Sequence, residues 1–237
     1  MLIVPMAVWL QARSPARPLL GVFTTLPIVW NEASSPAEML DAHQPKPWPR
    51  TALEAEFRLL PLNTLLKLDH LQDLLIAQPR PFAPQENVAL DAWVRGGGHL
   101  LLFADPMLTA HSRFALGDPR RPQDIALLSP ILAHWGLELR YDEAQPLGVR
   151  EIAESRLPPN SPLNLPVNLS GHWATHPGAT ARCQIEQAGL VASCKIGSGH
   201  VLLVADAALF EPDPETDVAV AGHAEALRGL SIRAFAR

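Results

Sequence analysis

The sequence predicts an α/β protein built on a parallel sheet with helices on both faces, followed by a C-terminal β-hairpin segment. Three observations lead there. Short apolar runs alternate with helix-like stretches through the first 140 residues, the order that lays parallel strands between helices. The runs lack polar alternation, as strands covered on both faces do. A helix, three successive glycines and an apolar strand then follow one another between residues 84 and 104.

Residues 1–10 (MLIVPMAVWL) are apolar and lead into a polar stretch with Gln11, Arg13, Ser14, Pro15, Arg17 and Pro18. A membrane-spanning helix needs about 20 apolar residues, and a secretory signal wants a charged start and a small-residue cleavage site, both poor here. Residues 1–17 are expected to be an apolar N-terminal segment: a short signal, the remnant of a longer anchor, or a terminus packed on the body. Residues 18–237 are expected to form a single α/β domain. A membrane-associated or periplasmic location is the favoured expectation, with a cytoplasmic one left open.

Strand-like runs occupy residues 19–24, 57–62, 74–78 and 99–104. Before the fourth, Pro84 starts a helix with Gln85 and Glu86 in its first turn, and Val88, Leu90, Ala92, Trp93 and Val94 form its apolar stripe. Gly96, Gly97 and Gly98 end it, since glycine takes the left-handed conformation that closes a last helical turn at no steric cost. A second helix over 129–135 stops at Gly136 and leads into residues 137–141.

Residues 142–180 differ in kind, with six prolines among Asn and Ser, and predict a Pro-rich loop insertion with edge structure. His172 and His176 then fall in loop, and Asn168-Leu169-Ser170 is a glycosylation tripeptide too common to carry weight. Runs over 181–186 and 190–195 read as the hairpin, with Cys183 and Cys194 nearly symmetric about its turn. A cross-strand disulfide and two half-buried thiols both fit, because disulfide geometry is demanding and register is not readable at this level. A strand over 201–205 and a helix over 218–230 complete the chain.

One internal echo stands out. Residues 98–105 (GHLLLFAD) are matched by residues 199–206 (GHVLLVAD), two strands that begin at Gly-His and end at Ala-Asp. The flanking helix is not repeated, so the echo marks similar constraints on two core strands.

The composition limits function. Of 237 residues, 48% are apolar and 18% charged, with a net charge of -5, which describes a globular core and excludes a phosphate-binding surface built on clustered cations. Arg113, Arg120 and Arg121 form the one basic cluster and read as a solvated loop. No nucleic-acid partner is expected. Neither a G-x-G-x-x-G after the first strand nor a G-x-x-x-x-G-K-[ST] is present, so no nucleotide or other cofactor is expected.

In open parallel sheets ligands bind at the carboxyl ends of strands, near the point where strand order reverses. The ligand-binding candidates are therefore Thr24, Thr25, Gln78, Asp105 and Asp206. The two aspartates offer a place for a cation, a hydroxyl-rich ligand or a basic partner; alternatively they cap the following turns by accepting backbone N–H bonds. His99 and His200 lie at the other ends of these strands, since six residues at about 3.3 Å each separate His99 from Asp105 by roughly 20 Å. No metal site is expected. Asp105, His111 and Ser112 supply the residue types of a hydrolytic triad, but without a G-x-S-x-G turn, and neighbours in sequence rarely converge on one point. No catalytic residue is assigned.

The run from Leu90 through Gly96-Gly97-Gly98-His99 to Asp105-Pro106 resembles the helix-to-strand signature of the gliding-motility-type auxiliary components of ABC transporters, and residues 197–206 resemble their later core strand. The resemblance covers residues 18–142 and 181–210. It implies a flavodoxin-like, class I glutamine amidotransferase-like sheet, with ABC transporter membrane or ATPase subunits as partners. Catalytic relatives carry a cysteine at the turn after the strand equivalent to residues 99–104; this chain has Asp105-Pro106-Met107 there. The expectation is a non-catalytic binding or auxiliary subunit. Its rivals are a small-molecule hydrolase using Asp105 and Asp206, and a purely structural interaction module that lacks a strand-end pocket.

Overall fold

Continuous apolar runs become the strands of one seven-stranded, mostly parallel sheet. In chain order the elements are β1 (Leu19–Thr24), α1 (Trp48–Glu54), β2 (Arg58–Pro61), β3 (Asp73–Ala77), α2 (Pro84–Arg95), β4 (His99–Phe103), α3 (Ser129–Trp135), β5 (Leu137–Tyr141), β6 (Arg150–Glu154), β7 (Leu163–Val167), β8 (Gly171–Thr175), β9 (Arg182–Ile185), β10 (Val191–Ile196), β11 (Gly199–Val204) and α4 (Asp217–Phe235). The computed structural model describes residues 16–33, 35, 43–154, 163–177, 181–186, 188–211 and 217–236. The expectations for residues 1–15 lie outside the described residues.

The large sheet runs β2-β1-β3-β4-β11-β10-β9. Its first five strands are mutually parallel, and β10 is antiparallel to both β11 and β9. The chain leaves β1 to one side for β2 and to the other for β3, so strand order reverses between β1 and β3. Every residue of β3 is buried, as are residues 100–103 of β4 and 201–204 of β11, because helices cover both faces. His200 reaches the Ala234 carbonyl of α4 on one face, with α1 alongside. On the opposite face the Cys183 sulfur lies 3.6 Å from the Trp135 carbonyl oxygen of α3, and α2 packs against β11.

Helix α2 buries Glu86, Leu90 and Val94, residues four apart that share one face. The left-handed residue after it is Gly97, at φ 114°, rather than Gly96, which stays helical. Gly199 answers a different need. A Cβ there would lie 2.0 Å from the Val94 carbonyl oxygen, so the start of β11 passes under the end of α2 only with glycine.

The echoed segments are neighbours. β4 and β11 pair in parallel with His99 opposite His200 and Phe103 opposite Val204, so Asp105 and Asp206 emerge side by side. The expected hairpin is β9 and β10, with Cys183 directly opposite Cys194 and joined to it by a disulfide. The stretch expected as Pro-rich loop with edge structure carries more strand than that reading gave it: its described residues hold β6, β7 and β8. β6 pairs with β7, and β8 pairs back onto β5. His172 therefore lies in a strand. The prolines mislead here because two-stranded ribbons leave an edge free on each strand, where a missing N–H costs nothing. Helix α1 was not anticipated; it is seven residues long with Pro49 in its first turn. Among the described residues, no helix is long and apolar enough to cross a membrane.

Candidate functional site

The carboxyl ends of the parallel strands form one edge, built over by a long irregular connection from the end of β4 to α3, residues 104–128. It crosses the edge as a strap. The Thr25 hydroxyl accepts the Gln123 N–H at 3.0 Å and donates to the Gln78 carbonyl. Glu32 holds the strap further out, accepting the Ser112 hydroxyl at 2.8 Å and the Arg113 N–H at 2.7 Å.

Of the five expected ligand contacts, three are inside the protein. Gln78 is fully buried at φ 41°, and its amide acts as a local strand: Oε1 accepts the Asp105 N–H at 2.9 Å, while Nε2 donates to the carbonyls of Asp105 and Gln123. Asp105, 0% exposed, accepts Met107 N–H at 2.8 Å and Ala207 N–H at 3.1 Å. Asp206, 2% exposed, accepts the N–H groups of Ala208 and Asn168. All four carboxylate oxygens thus satisfy backbone donors, the turn-capping role, and neither side chain faces a ligand. The physical reason is depth: once strands and strap close around them, only groups with local hydrogen-bond partners are tolerated.

Burial pushes the Asp105 carboxyl up to about 7 against the lowering effect of its two backbone bonds. Burial also raises Asp206 well above the usual carboxylate range, and the neighbouring Asp105 charge adds to it. A third acid joins them. Glu211, just past a 3-10 turn at Ala208–Phe210, accepts the Thr109 hydroxyl at 2.8 Å and the Thr109 N–H at 3.2 Å, and burial raises it too.

Thr24 and Thr25 alone among the candidates line an open cleft. It measures about 270 Å³, sits at the ends of β1 next to the order reversal, and is walled by Pro27, Trp30, Phe114 and Pro119 with Asn31, Glu32 and Arg120. Both threonine hydroxyls are already committed, Thr24 to the Ala77 carbonyl at 2.7 Å and to the Leu26 N–H. The exposed surface is therefore chiefly aromatic and prolyl: Trp30 is 48% exposed, and the Arg120 guanidinium lies 4.3 Å from the Phe114 ring centre. Asp118 fixes that guanidinium through Nε and Nη2. Trp30, Glu32, Phe114 and Glu211 were not read from the sequence, and Arg120 was read only as part of a solvated loop, since all stand in loops where spacing carries no periodic signal.

The remaining sequence candidates are placed as follows. His99 bonds Asp73 at 3.1 Å and His200 bonds Ser193 at 2.9 Å, both at the amino ends of their strands and remote from the cleft. Ser112 serves Glu32, so the triad types do not converge. Asn168 is held by Thr109 and Gly148. Among the described residues no group of three or more His, Cys, Asp or Glu is placed to hold a metal ion.

No family model and no curated protein matches the chain. Among solved structures, it is similar to the exo-β-1,4-mannosidase Op5Man5 from Opitutaceae bacterium strain TAV5, with a TM-score of 0.52 and 16% identity over 91% of this chain and 36% of that one. The cold-adapted β-galactosidase from Rahnella sp. R3 gives 0.49 and 14%, over 92% and 31%. A ThuA-like protein from Parabacteroides merdae ATCC 43184 gives 0.43 and 11%, over 94% and 91%. The chain spans about a third of the length of the two glycosidases. At this identity the first likeness speaks to the α/β fold alone.

Proposed function

We propose that this protein is a non-catalytic binding subunit that serves an ABC transport system as an auxiliary component, on a flavodoxin-like, class I glutamine amidotransferase-like scaffold. One observation carries the reading: the strand-end carboxylates are consumed by backbone bonds, while an aromatic-walled cleft is left open where strand order reverses. The order β2-β1-β3-β4-β11 is that of flavodoxin-like sheets, whose ligands bind at this reversal. The turn after β4 carries Asp105-Pro106-Met107, with no nucleophile. The Cys183–Cys194 disulfide favours an oxidising, extracytoplasmic compartment.

A hydrolase using Asp105 and Asp206 needs carboxylate oxygens that a substrate can reach, and theirs are buried. A purely structural module leaves the cleft without a purpose. The reading is tested by cross-linking the full, tagged chain in its own cells and capturing it from solubilised membranes. Permease and ATPase subunits of one ABC system are expected to co-purify, and to be lost with Trp30→Ala plus Phe114→Ala. A chain that captures no such subunit overturns the transport role.

A further inference from the structure

We infer that β5 is the docking edge for a second copy of this chain: two β5 strands pair antiparallel about a two-fold axis at Leu139, joining two β5–β8 ribbons into one four-stranded sheet.

The free edge follows from where the ribbon directs its backbone groups. On the far side of β8, the Trp173 N–H donates to the Gly189 carbonyl and the Gly171 N–H to the Ala205 carbonyl, both at 2.7 Å. Successive residues of a strand point their backbone groups to opposite edges, so His172 and Ala174 face β5, where Arg140 and Glu138 stand opposite them. The His176 N–H donates to the Gly136 carbonyl at 2.8 Å in the same phase. The N–H and carbonyl groups of Leu137, Leu139 and Tyr141 are therefore turned away from β8, and among the described residues no backbone bond reaches them there. Such an edge is ordinarily blocked by proline, a bulge or a covering segment. β5 contains no proline. Leu137, next to α3, is buried, whereas Leu139 and Tyr141 are partly exposed, so the open stretch runs from Glu138 to Tyr141.

Two independent features select the register. Outward groups must meet outward groups, so a two-fold at Leu139 lets the two Leu139 residues exchange both of their bonds as a hydrogen-bonded antiparallel pair. Charge then chooses among the registers that satisfy this rule. With the axis at Leu139, Glu138 of each copy stands opposite Arg140 of the other, on one face of the joined sheet. An axis at Arg140 or at Glu138 would oppose each of these residues to its own copy, like charge to like. The two side chains are 43% and 53% exposed and already pair within the chain at 2.9 Å, so the second copy completes a square of alternating charge. Beside the edge runs a groove of about 400 Å³ whose lining includes Ile125, Leu127, Leu132 and Tyr141. Ile125 and Leu127 are 50% and 56% exposed, apolar surface that a paired copy covers.

The measurement is sedimentation equilibrium of the full chain, which needs no ligand or transport partner. Wild type is expected to sediment as a dimer. Arg140→Glu sets Glu opposite Glu at both symmetric positions, and Glu138→Arg sets Arg opposite Arg; each alone is expected to weaken dimerisation about tenfold with unchanged circular dichroism. An equimolar mixture of the two variants sets Glu opposite Arg again across the interface, while each chain keeps like charges at 138 and 140, and is expected to recover the dimer. Leu139→Cys is expected to give a disulfide-linked dimer on oxidation, since the Cα atoms of a hydrogen-bonded pair lie about 5.5 Å apart, within reach of a disulfide. A wild type that is monomeric at about 0.1 mM overturns the interface. So does a dimer that the single variants leave intact, that their mixture fails to restore, or that Leu139→Cys does not cross-link; each of these results leaves the binding role standing.

Discussion

Replacing Glu86 by Gln tests how the turn between β3 and α2 is held. Its carboxylate is 3% exposed and accepts four hydrogen bonds: Arg80 Nη1 at 2.7 Å, Arg80 Nη2 at 2.8 Å, Ala83 N–H at 3.0 Å and Leu65 N–H at 3.1 Å. The Arg80 guanidinium, with the Ala83 and Leu65 amides behind it, draws the carboxyl from 4.5 to about 2 in spite of burial. At about 1.4 kcal/mol per tenfold change this corresponds to about 3 kcal/mol of folding stability. Arg80 is 41% exposed, and solvent screening of its half of the pair reduces the figure to about 2 kcal/mol. Because the folded value is depressed, the contribution is complete above the unfolded value near 4.5 and disappears as pH falls toward 2. Urea denaturation of wild type and Glu86→Gln at pH 7 should differ by about 2 kcal/mol, and the gap should shrink to roughly half by pH 3. Equal stability at pH 7, or a gap that stays constant into acid, would refute the ion pair as the source.

Three further perturbations separate backbone geometry from cross-linking. Gly199→Ala places a methyl group against the Val94 carbonyl and should lower the melting temperature sharply or prevent folding. Gly222→Ala, with nothing within 4 Å of the new Cβ in α4, should raise stability by about 0.5–1 kcal/mol through helix propensity. The Cys183–Cys194 disulfide closes a loop with a sequence separation of 11, which chain entropy values at about 3 kcal/mol. Denaturation midpoints with and without reductant should show that loss in wild type and none in Cys183→Ser plus Cys194→Ser; a wild type indifferent to reductant would count against the bridge.

Residues 84–104 were legible because their structure is local. A proline, a stripe of apolar residues, glycines and a run of leucines specify helix, stop and buried strand through steric and hydrophobic rules that act within a few residues. The hairpin around Cys183 and Cys194 was legible for the same reason, although its oxidation depended on register, which pairing alone determines. The strands within residues 142–180 were underread because pairing partners such as β5 for β8 lie outside the window that a proline count surveys.

The site divides along the same line. That Asp105 and Asp206 close two similar strands was visible in the repeated Gly-His to Ala-Asp segments; that the strands are neighbours, and their aspartates buried in backbone bonds, was decided by sheet order and by the strap folding over them. The cleft walls come from residues 27–33 and 114–120, far apart in the chain and without periodicity. The sequence by itself determined the elements that rest on short-range preferences, such as the helix, glycine stop and buried strand of residues 84–104, whereas α1 and the β6–β8 ribbons depend on partners distant in the chain. Which side chains meet at the edge, and which are left facing outward, belongs to the tertiary structure, since burial and charge coupling depend on neighbours that only the folded chain brings together.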